Sequence, residues 1–314
     1  DEIPFPARDL IDINKYPGYY VKKRKPEASF LSSRGCPYNC TYCSNIVWKT
    51  SKPWIRLRSP KNVVDEIEFL VQKEKVKELF DQCDEFNPNL KWSIDVCKEI
   101  INRKIDVTWK TQIRVDKVNE EFAENLAKSG CWLVFLGIES GNQTTLDGVR
   151  KRISLEQAVK ASEILKRHGI KTFGLFMAFN VWEENGQLRY ENYEDSLNTL
   201  KFVKKLLDKK LLDFFSWSLT TPYPGSELFE VSKKYGLIDE SVFDNWENLD
   251  SSSNFVLKLP NVSERQWLDL RNKGALMQAR NVLTSGNLSL SAFSLYAKRA
   301  NQIVKRFVKG RFLV

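Results

Sequence analysis

The sequence has a single histidine, His168, and no apolar run approaching the ~20 residues that a membrane-spanning helix needs. Its most apolar stretches, Trp132 to Ile138 and Phe173 to Phe179, are strand-sized. No basic-then-apolar leader opens it, so the default expectation is a soluble, cytoplasmic chain. Cysteine is too sparse for a secreted disulfide framework, with six among 314 residues. There is no low-complexity tract. Acidic residues stop at Asp269, whereas Arg271, Lys273, Arg280, Lys298, Arg299, Lys305, Arg306, Lys309 and Arg311 follow. Those cations account for the whole formal net charge of +9, which leaves residues 1–269 close to neutral. A nucleic-acid partner is therefore not expected on the body, and any anionic partner would meet the tail.

What the sequence does contain is a regular alternation. Runs rich in β-branched and aromatic residues predict strands at 28–33, 76–81, 106–113, 132–138, 170–179 and 212–220. Each is followed by a helical pattern, at 60–74, 90–103, 118–129, 154–168, 190–209 and 225–235. Ser59-Pro60 offers an N-cap and a first-turn proline, Ser154 with Gln157 a capping box, and His168-Gly169 a helix end. Six β/α units imply a parallel sheet with right-handed crossovers. The expected class is α/β: a partial (β/α)6 TIM-type barrel over residues 28–237. An extended linker arm over 1–27 precedes it, and a mainly helical C-terminal extension over 238–314, with a basic tail, follows.

The chemistry is concentrated in Arg34-Gly35-Cys36-Pro37-Tyr38-Asn39-Cys40-Thr41-Tyr42-Cys43. Three thiols spaced Cys-x3-Cys-x2-Cys on one loop can reach three corners of a cubane iron–sulfur cluster and leave its fourth iron open. An open iron can chelate the amino and carboxylate groups of a small molecule, and an electron from the cluster can then cleave a sulfonium. The competing reading is a zinc site, which wants four ligands in paired Cys or Cys/His sets. Cys83, Cys97 and Cys131 lack such spacing. Cys83 is expected to be a bystander, and the other two buried core thiols.

The motif, with Tyr42 before the last cysteine, resembles the signature of the radical S-adenosylmethionine superfamily. The wording Arg-Gly-Cys-Pro-Tyr-Asn-Cys-x-Tyr-Cys resembles its cobalamin-binding-domain subgroup, which includes anaerobic magnesium-protoporphyrin monomethyl ester cyclase and radical methyltransferases. The likeness covers about residues 1–237, through Ile3 to Asp9, Asp84-Glu85-Phe86-Asn87, Arg114, Gly137 to Gly141 and Thr221 to Ser226. It implies a [4Fe-4S] cluster on Cys36, Cys40 and Cys43, with Tyr42, Asp84, Glu85, Arg114, Glu139 and Ser140 around S-adenosylmethionine. It further implies a small-molecule or lipid substrate, a flavodoxin- or ferredoxin-type electron donor, and cobalamin through an upstream domain. The absence of that domain reads as truncation of a longer enzyme or as a cobalamin-free relative.

The predicted strand ends support the same layout. Polar residues follow all six strands: the cysteines, Asp84 and Glu85, Arg114, Glu139 and Ser140, Asn180 and Thr221. In parallel β/α folds ligands gather at that end. Alternatives stay open for each. Glu139 either contacts the cofactor or forms a structural pair with Arg114 or Lys151, and Asp84, Glu85 and Arg114 could be merely solvated. One departure from the family is Phe179-Asn180-Val181-Trp182-Glu183-Glu184-Asn185-Gly186, with an excursion to Tyr190. It is read as a reshaped loop over the mouth that holds substrate through Trp182. The end, Ser291 to Lys309, is amphipathic; it either packs on the barrel or rests on anionic lipid. The rival functions are tRNA methylthiolation and a non-catalytic iron–sulfur carrier or scaffold.

Overall fold

A computed structural model describes residues 1–284 except 17, 20, 46–48, 51 and 253. The basic end from Ser291 to Lys309 lies outside the described residues. Six strands form one parallel sheet: β1 (Glu27–Phe30), β4 (Glu78–Asp81), β5 (Thr108–Ile113), β6 (Cys131–Glu139), β7 (Lys171–Ala178) and β10 (Phe214–Leu219). They lie side by side in sequence order, as successive right-handed β/α units require. The crossover helices are α1 (Pro60–Gln72), α2 (Leu90–Asn102), α3 (Glu120–Lys128), α5 (Leu155–Arg167) and α6 (Tyr193–Asp208). After β10 comes α7 (Glu227–Lys234). Ser59 accepts from the Asn62 amide with Pro60 in the first turn, and Ser154 and Gln157 make the reciprocal capping box.

Alternation along the strands separates two cores. Leu79, Trp109, Val134, Leu136, Ile138, Phe176 and Phe215 belong to the large core shared with the helices. The opposite faces of the strands turn into the barrel. There Phe80, Leu133, Phe135, Phe173 and Phe214 close the amino-terminal end, with Tyr19 of the arm packed edge-on against Phe80 and Phe135. Lys110 is fully buried beside them, 2.8 Å from Glu27 and 3.3 Å from Glu78, and donates to the Val21 carbonyl. The arm thus helps seal the floor. Nearer the carboxyl ends, the same face carries Gln112, Gly137, Leu175, Met177, Ser216 and Ser218, all partly exposed. The barrel interior is therefore open at the top and dry at the bottom.

Three elements depart from the expected alternation. A two-stranded ribbon, β2 (Ser33–Arg34) with β3 (Arg56–Leu57), frames the cysteine loop, and a short helix, α4 (Gln143–Gly148), follows β6. The excursion after β7 is an antiparallel hairpin, β8 (Val181–Glu184) and β9 (Gln187–Tyr190). Trp182 does not face a substrate. It is 7% exposed and lies over Gly148, where an added Cβ would stand 2.3 Å from the indole. The chain beyond 238 holds short 3-10 turns at Glu240–Asp244 and Trp246–Leu249 and then α8 (Glu264–Thr284), which packs on β10. No helix among the described residues is long and apolar enough to cross a membrane.

Candidate active site

The cysteine loop runs from the end of β2 across the carboxyl ends of the strands, and backbone constraints fix its entry. Gly35 has φ +89°, and a Cβ there would stand 1.9 Å from the Trp54 carbonyl oxygen, so no other residue fits. Its amide donates to Asp84 at 2.7 Å. Further along, the Thr41 amide donates to the Val149 carbonyl just after α4, and the Leu228 amide in α7 donates to the Thr41 carbonyl. Tyr38 accepts at its carbonyl from Lys49 and Asn45, and its ring lies 3.5 Å under the Arg114 guanidinium. The loop is gripped from several elements at once.

Cys36, Cys40 and Cys43 are free and partly buried, whereas Cys83, Cys97 and Cys131 are free and fully buried. Cys36 Sγ lies 3.4 Å from Glu85 Oε2. Burial, with the Glu85 carboxylate adding to it, pushes the Cys36 thiol up to about 12, and burial also raises Cys43. Metal binding here must therefore displace protons. Burial likewise raises the Glu85 carboxyl.

Glu139, the last residue of β6, pairs with Lys151 at 2.8 Å, and Lys151 lies 3.1 Å from the Tyr42 hydroxyl. Gly137 makes room for this pair: a Cβ there would stand 2.6 Å from Lys151 Nζ. Burial alone would lower the Lys151 pKa, but Glu139 and Cys40 together outweigh it, and the net shift is upward. Tyr42 is pushed well above its ordinary range by burial and by Glu139. Of the two pairings open to Glu139, the structure has Lys151. Arg114 instead pairs with Asp116 at 2.9 Å and donates to the Lys151 and Arg152 carbonyls.

The structure thus gathers Cys36, Cys40, Cys43, Tyr42, Glu85, Arg114 and Glu139 about one loop. Asp84 is turned to the Gly35 amide, and Ser140 points elsewhere. Its hydroxyl donates to Glu191 at 2.7 Å in a buried network with Asn142, Asn180, Ser196 and Thr199. Glu191, Tyr38 and this network went unread in the sequence. A buried glutamate satisfied by hydroxyls and amides from three separate segments leaves no local spacing to detect.

Several buried oxygens at the mouth have no protein partner: Ser33 Oγ, Thr41 Oγ1, Glu85 Oε1 and Asn180 Oδ1. An unpaired buried polar atom costs about 1–3 kcal/mol, so these positions favour a ligand with hydrogen-bonding groups. Among the described residues no three His, Cys, Asp or Glu side chains converge as a mononuclear metal site requires. A cubane presents its irons at separate corners, which suits three spread thiols on one loop. The donor set fits an iron–sulfur cubane beside a polar small molecule.

Comparison with known proteins agrees. The profile of the Radical SAM superfamily matches residues 30–186, half of the chain. An uncharacterized methyltransferase of Pyrococcus horikoshii is 30% identical over 87% of this chain and 55% of its own length. Anaerobic magnesium-protoporphyrin IX monomethyl ester cyclase of Rubrivivax gelatinosus is 33% identical over 74% of this chain and 40% of its own. The chain thus spans about half the length of these relatives or less. The cobalamin-dependent S-adenosylmethionine radical enzyme OxsB superposes with a TM-score of 0.59 at 16% identity, covering 81% of this chain and 41% of that one. That likeness is one of fold.

Proposed function

The chain belongs to the radical S-adenosylmethionine superfamily, whose cofactors are a [4Fe-4S] cluster and S-adenosylmethionine, and on that premise we propose that it is the catalytic part of a methyltransferase or cyclase acting on an unactivated carbon. The observation that carries this reading is the cysteine loop itself: three free, partly buried cysteines set over an open barrel, with unpartnered buried oxygens around them. Cys36, Cys40 and Cys43 would hold the cluster. When bound, the two cofactors supply a 5′-deoxyadenosyl radical that takes a hydrogen atom from the substrate.

The chain's own residues set the conditions for that chemistry. The Phe80, Phe135, Phe173 and Phe214 floor keeps water out of the lower barrel, which protects a reactive intermediate. Arg114 holds the loop through Tyr38. The Glu139–Lys151 pair fixes Tyr42 of the loop through Lys151, and the Glu139 carboxylate would accept hydrogen bonds from a ribose or an amino group. Glu85, beside Cys36, offers one unpartnered oxygen. Gln112, Leu175, Met177, Ser216 and Ser218 present a mixed polar and apolar wall, suited to a small-molecule substrate. A flavodoxin- or ferredoxin-type donor would supply the electron. Relatives named as methyltransferases and cyclases support methyl transfer or ring closure as the outcome.

The test is anaerobic reconstitution with iron and sulfide, followed by titanium(III) citrate and S-adenosylmethionine. The reading predicts 5′-deoxyadenosine and methionine from the parent and none from Cys40→Ala. Iron loading without any 5′-deoxyadenosine would favour an electron carrier instead.

A further inference from the structure

The hairpin after β7 brings the chain back to where it left the sheet. Val181 pairs with Tyr190, and the next residue, Glu191, donates its amide to the Asn180 carbonyl at 2.8 Å. The Glu191 side chain is 1% exposed. Among the described residues, every hydrogen-bond partner of its carboxylate is neutral. The Ser140 hydroxyl donates to Oε1 at 2.7 Å, and the Asn142 side-chain amide at 3.3 Å. The Asn180 amide, the Asn180 side chain and the Ser196 hydroxyl donate to Oε2 at 3.1, 3.1 and 3.2 Å. Both oxygens therefore act as acceptors. A buried carboxylate with no cation is costly for the fold, and an apolar side chain could close the same hairpin more cheaply. The charge needs another reason.

Its partners supply one. Ser140 directly follows Glu139, which has φ +71°, and Asn180 directly follows Phe179, which has φ +61°. The register between β6 and β7 slips at the same place: Gly137 pairs with Leu175 and Glu139 with Phe176, so Ile138 is one residue too many. Such bulges re-aim a side chain beside a functional site. A left-handed turn at a non-glycine residue persists only where its surroundings over-determine it. Here a single carboxylate grips the residue after each of the two turns, one with each oxygen. Helix α6 backs this grip, because Gly141 lets it close in; a Cβ there would stand 2.9 Å from the Thr199 Cα. The Gly141 amide donates to the Thr199 hydroxyl at 2.9 Å, and the Phe179 amide to the Ser196 hydroxyl at 2.8 Å.

We propose that Glu191 is a positioning residue, which locks the turn at Glu139 through the Ser140 hydroxyl and so aims the Glu139 carboxylate at S-adenosylmethionine. The hairpin then serves the site from behind, by delivering Glu191, and does not cover it. An amide at position 191 would have to turn an NH2 group toward donors on one side, so Gln keeps the shape and loses the grip. The aim at the cofactor rests on the enzymatic reading above, whereas the hold on the turn stands without it.

Hydrogen exchange on the full chain without its cluster tests the hold. In Glu191→Gln the amides of residues 139–142 and 179–181 should exchange roughly tenfold faster or more, while those of β1 and β4 at the far edge keep the parental rate. Equal acceleration across the sheet would make Glu191 a brace of the whole fold and overturn the proposal. Equilibrium dialysis of S-adenosylmethionine against reconstituted protein of parental iron content tests the aim. Affinity should fall about tenfold in Glu191→Gln. Ser140→Ala, which cuts only the link to β6, should do the same and carries the test alone if Glu191→Gln does not fold. Glu139→Gln should weaken binding by itself, and adding Glu191→Gln to it should cost less than about twofold more, since nothing is left to position. Unchanged affinity in both Glu191→Gln and Ser140→Ala, or full additivity with Glu139→Gln, would overturn the aim. An iron-loaded parent that binds no S-adenosylmethionine would instead overturn the enzymatic reading, and the exchange rates would still decide the hold.

Discussion

Two residues at the mouth hold backbone conformations that ordinary side chains avoid. Glu139 has φ +71° at the end of β6, and Phe179 has φ +61° just past β7. Each costs about 1–2 kcal/mol in a non-glycine residue. Such strain tends to collect where geometry serves a ligand. At Glu139 it aims the carboxylate back at Lys151, so the pair is a buried unit whose halves depend on each other. Lys151→Met should lower the unfolding free energy by about 3 kcal/mol, because it strands a buried carboxylate. The double variant Glu139→Gln/Lys151→Met should lose clearly less, by urea denaturation. Asp81 gives a second prediction. It is fully buried, accepts from Ser32 and Cys83, and burial raises its carboxyl above the ordinary 3.8. The folded state thus holds the proton more tightly than the unfolded one. Stability from this group is present at low pH and falls as pH rises from about 4 through the raised value. Asp81→Asn keeps the shape and lacks that titration. Its melting temperature relative to the parent should therefore rise between pH 4 and pH 8, and a constant difference would contradict the burial argument.

At the scale of elements, the strands and crossover helices were legible because their signals are local. Apolar alternation placed β6 and β7 within a residue or two, and Ser59-Pro60 and Ser154/Gln157 marked helix starts that the structure keeps. The hairpin of β8 and β9 was missed although its signal was present. Asn185-Gly186 has positive φ at both positions, 50° and 75°, the usual two-residue hairpin turn. Reading that pair would have placed Trp182 in a strand against α4 rather than over a substrate. Helix α4 escaped because six residues are too few to show a period. The cysteine loop was legible in its ligands but not in its supports, since Tyr38 under Arg114 joins positions 76 residues apart in sequence. Those supports are testable. Gly35→Ala should leave the circular dichroism of the barrel unchanged and cut iron retained after reconstitution by half or more. Arg114→Met should do the same more mildly, through loss of the Tyr38 stack.

At the scale of the molecule, the six strands do not close into a ring, and an open parallel sheet has two free edges. The flanking segments cover both. Arg8 and Arg58 take carbonyls along β1, while Gln278 of α8 donates to the Phe215 carbonyl and the Leu219 amide reaches the Ser251 carbonyl along β10. Helix α8 can approach because Gly274 lies against Trp217, where a Cβ would stand 2.0 Å from the ring. Gly274→Val should cost about 1–3 kcal/mol through overpacking and raise aggregation of the thermally stressed protein, followed by light scattering. Among the described residues, the interior side chains at the top of the barrel stay partly exposed, and the cysteine loop lies across that end.

Mössbauer spectroscopy of the anaerobically reconstituted protein addresses that loop most directly. Three cysteine donors on four irons predict one iron distinct from the other three, with its signal shifting when S-adenosylmethionine is added. Four equivalent irons that ignore S-adenosylmethionine, or stoichiometric zinc in their place, would contradict the account.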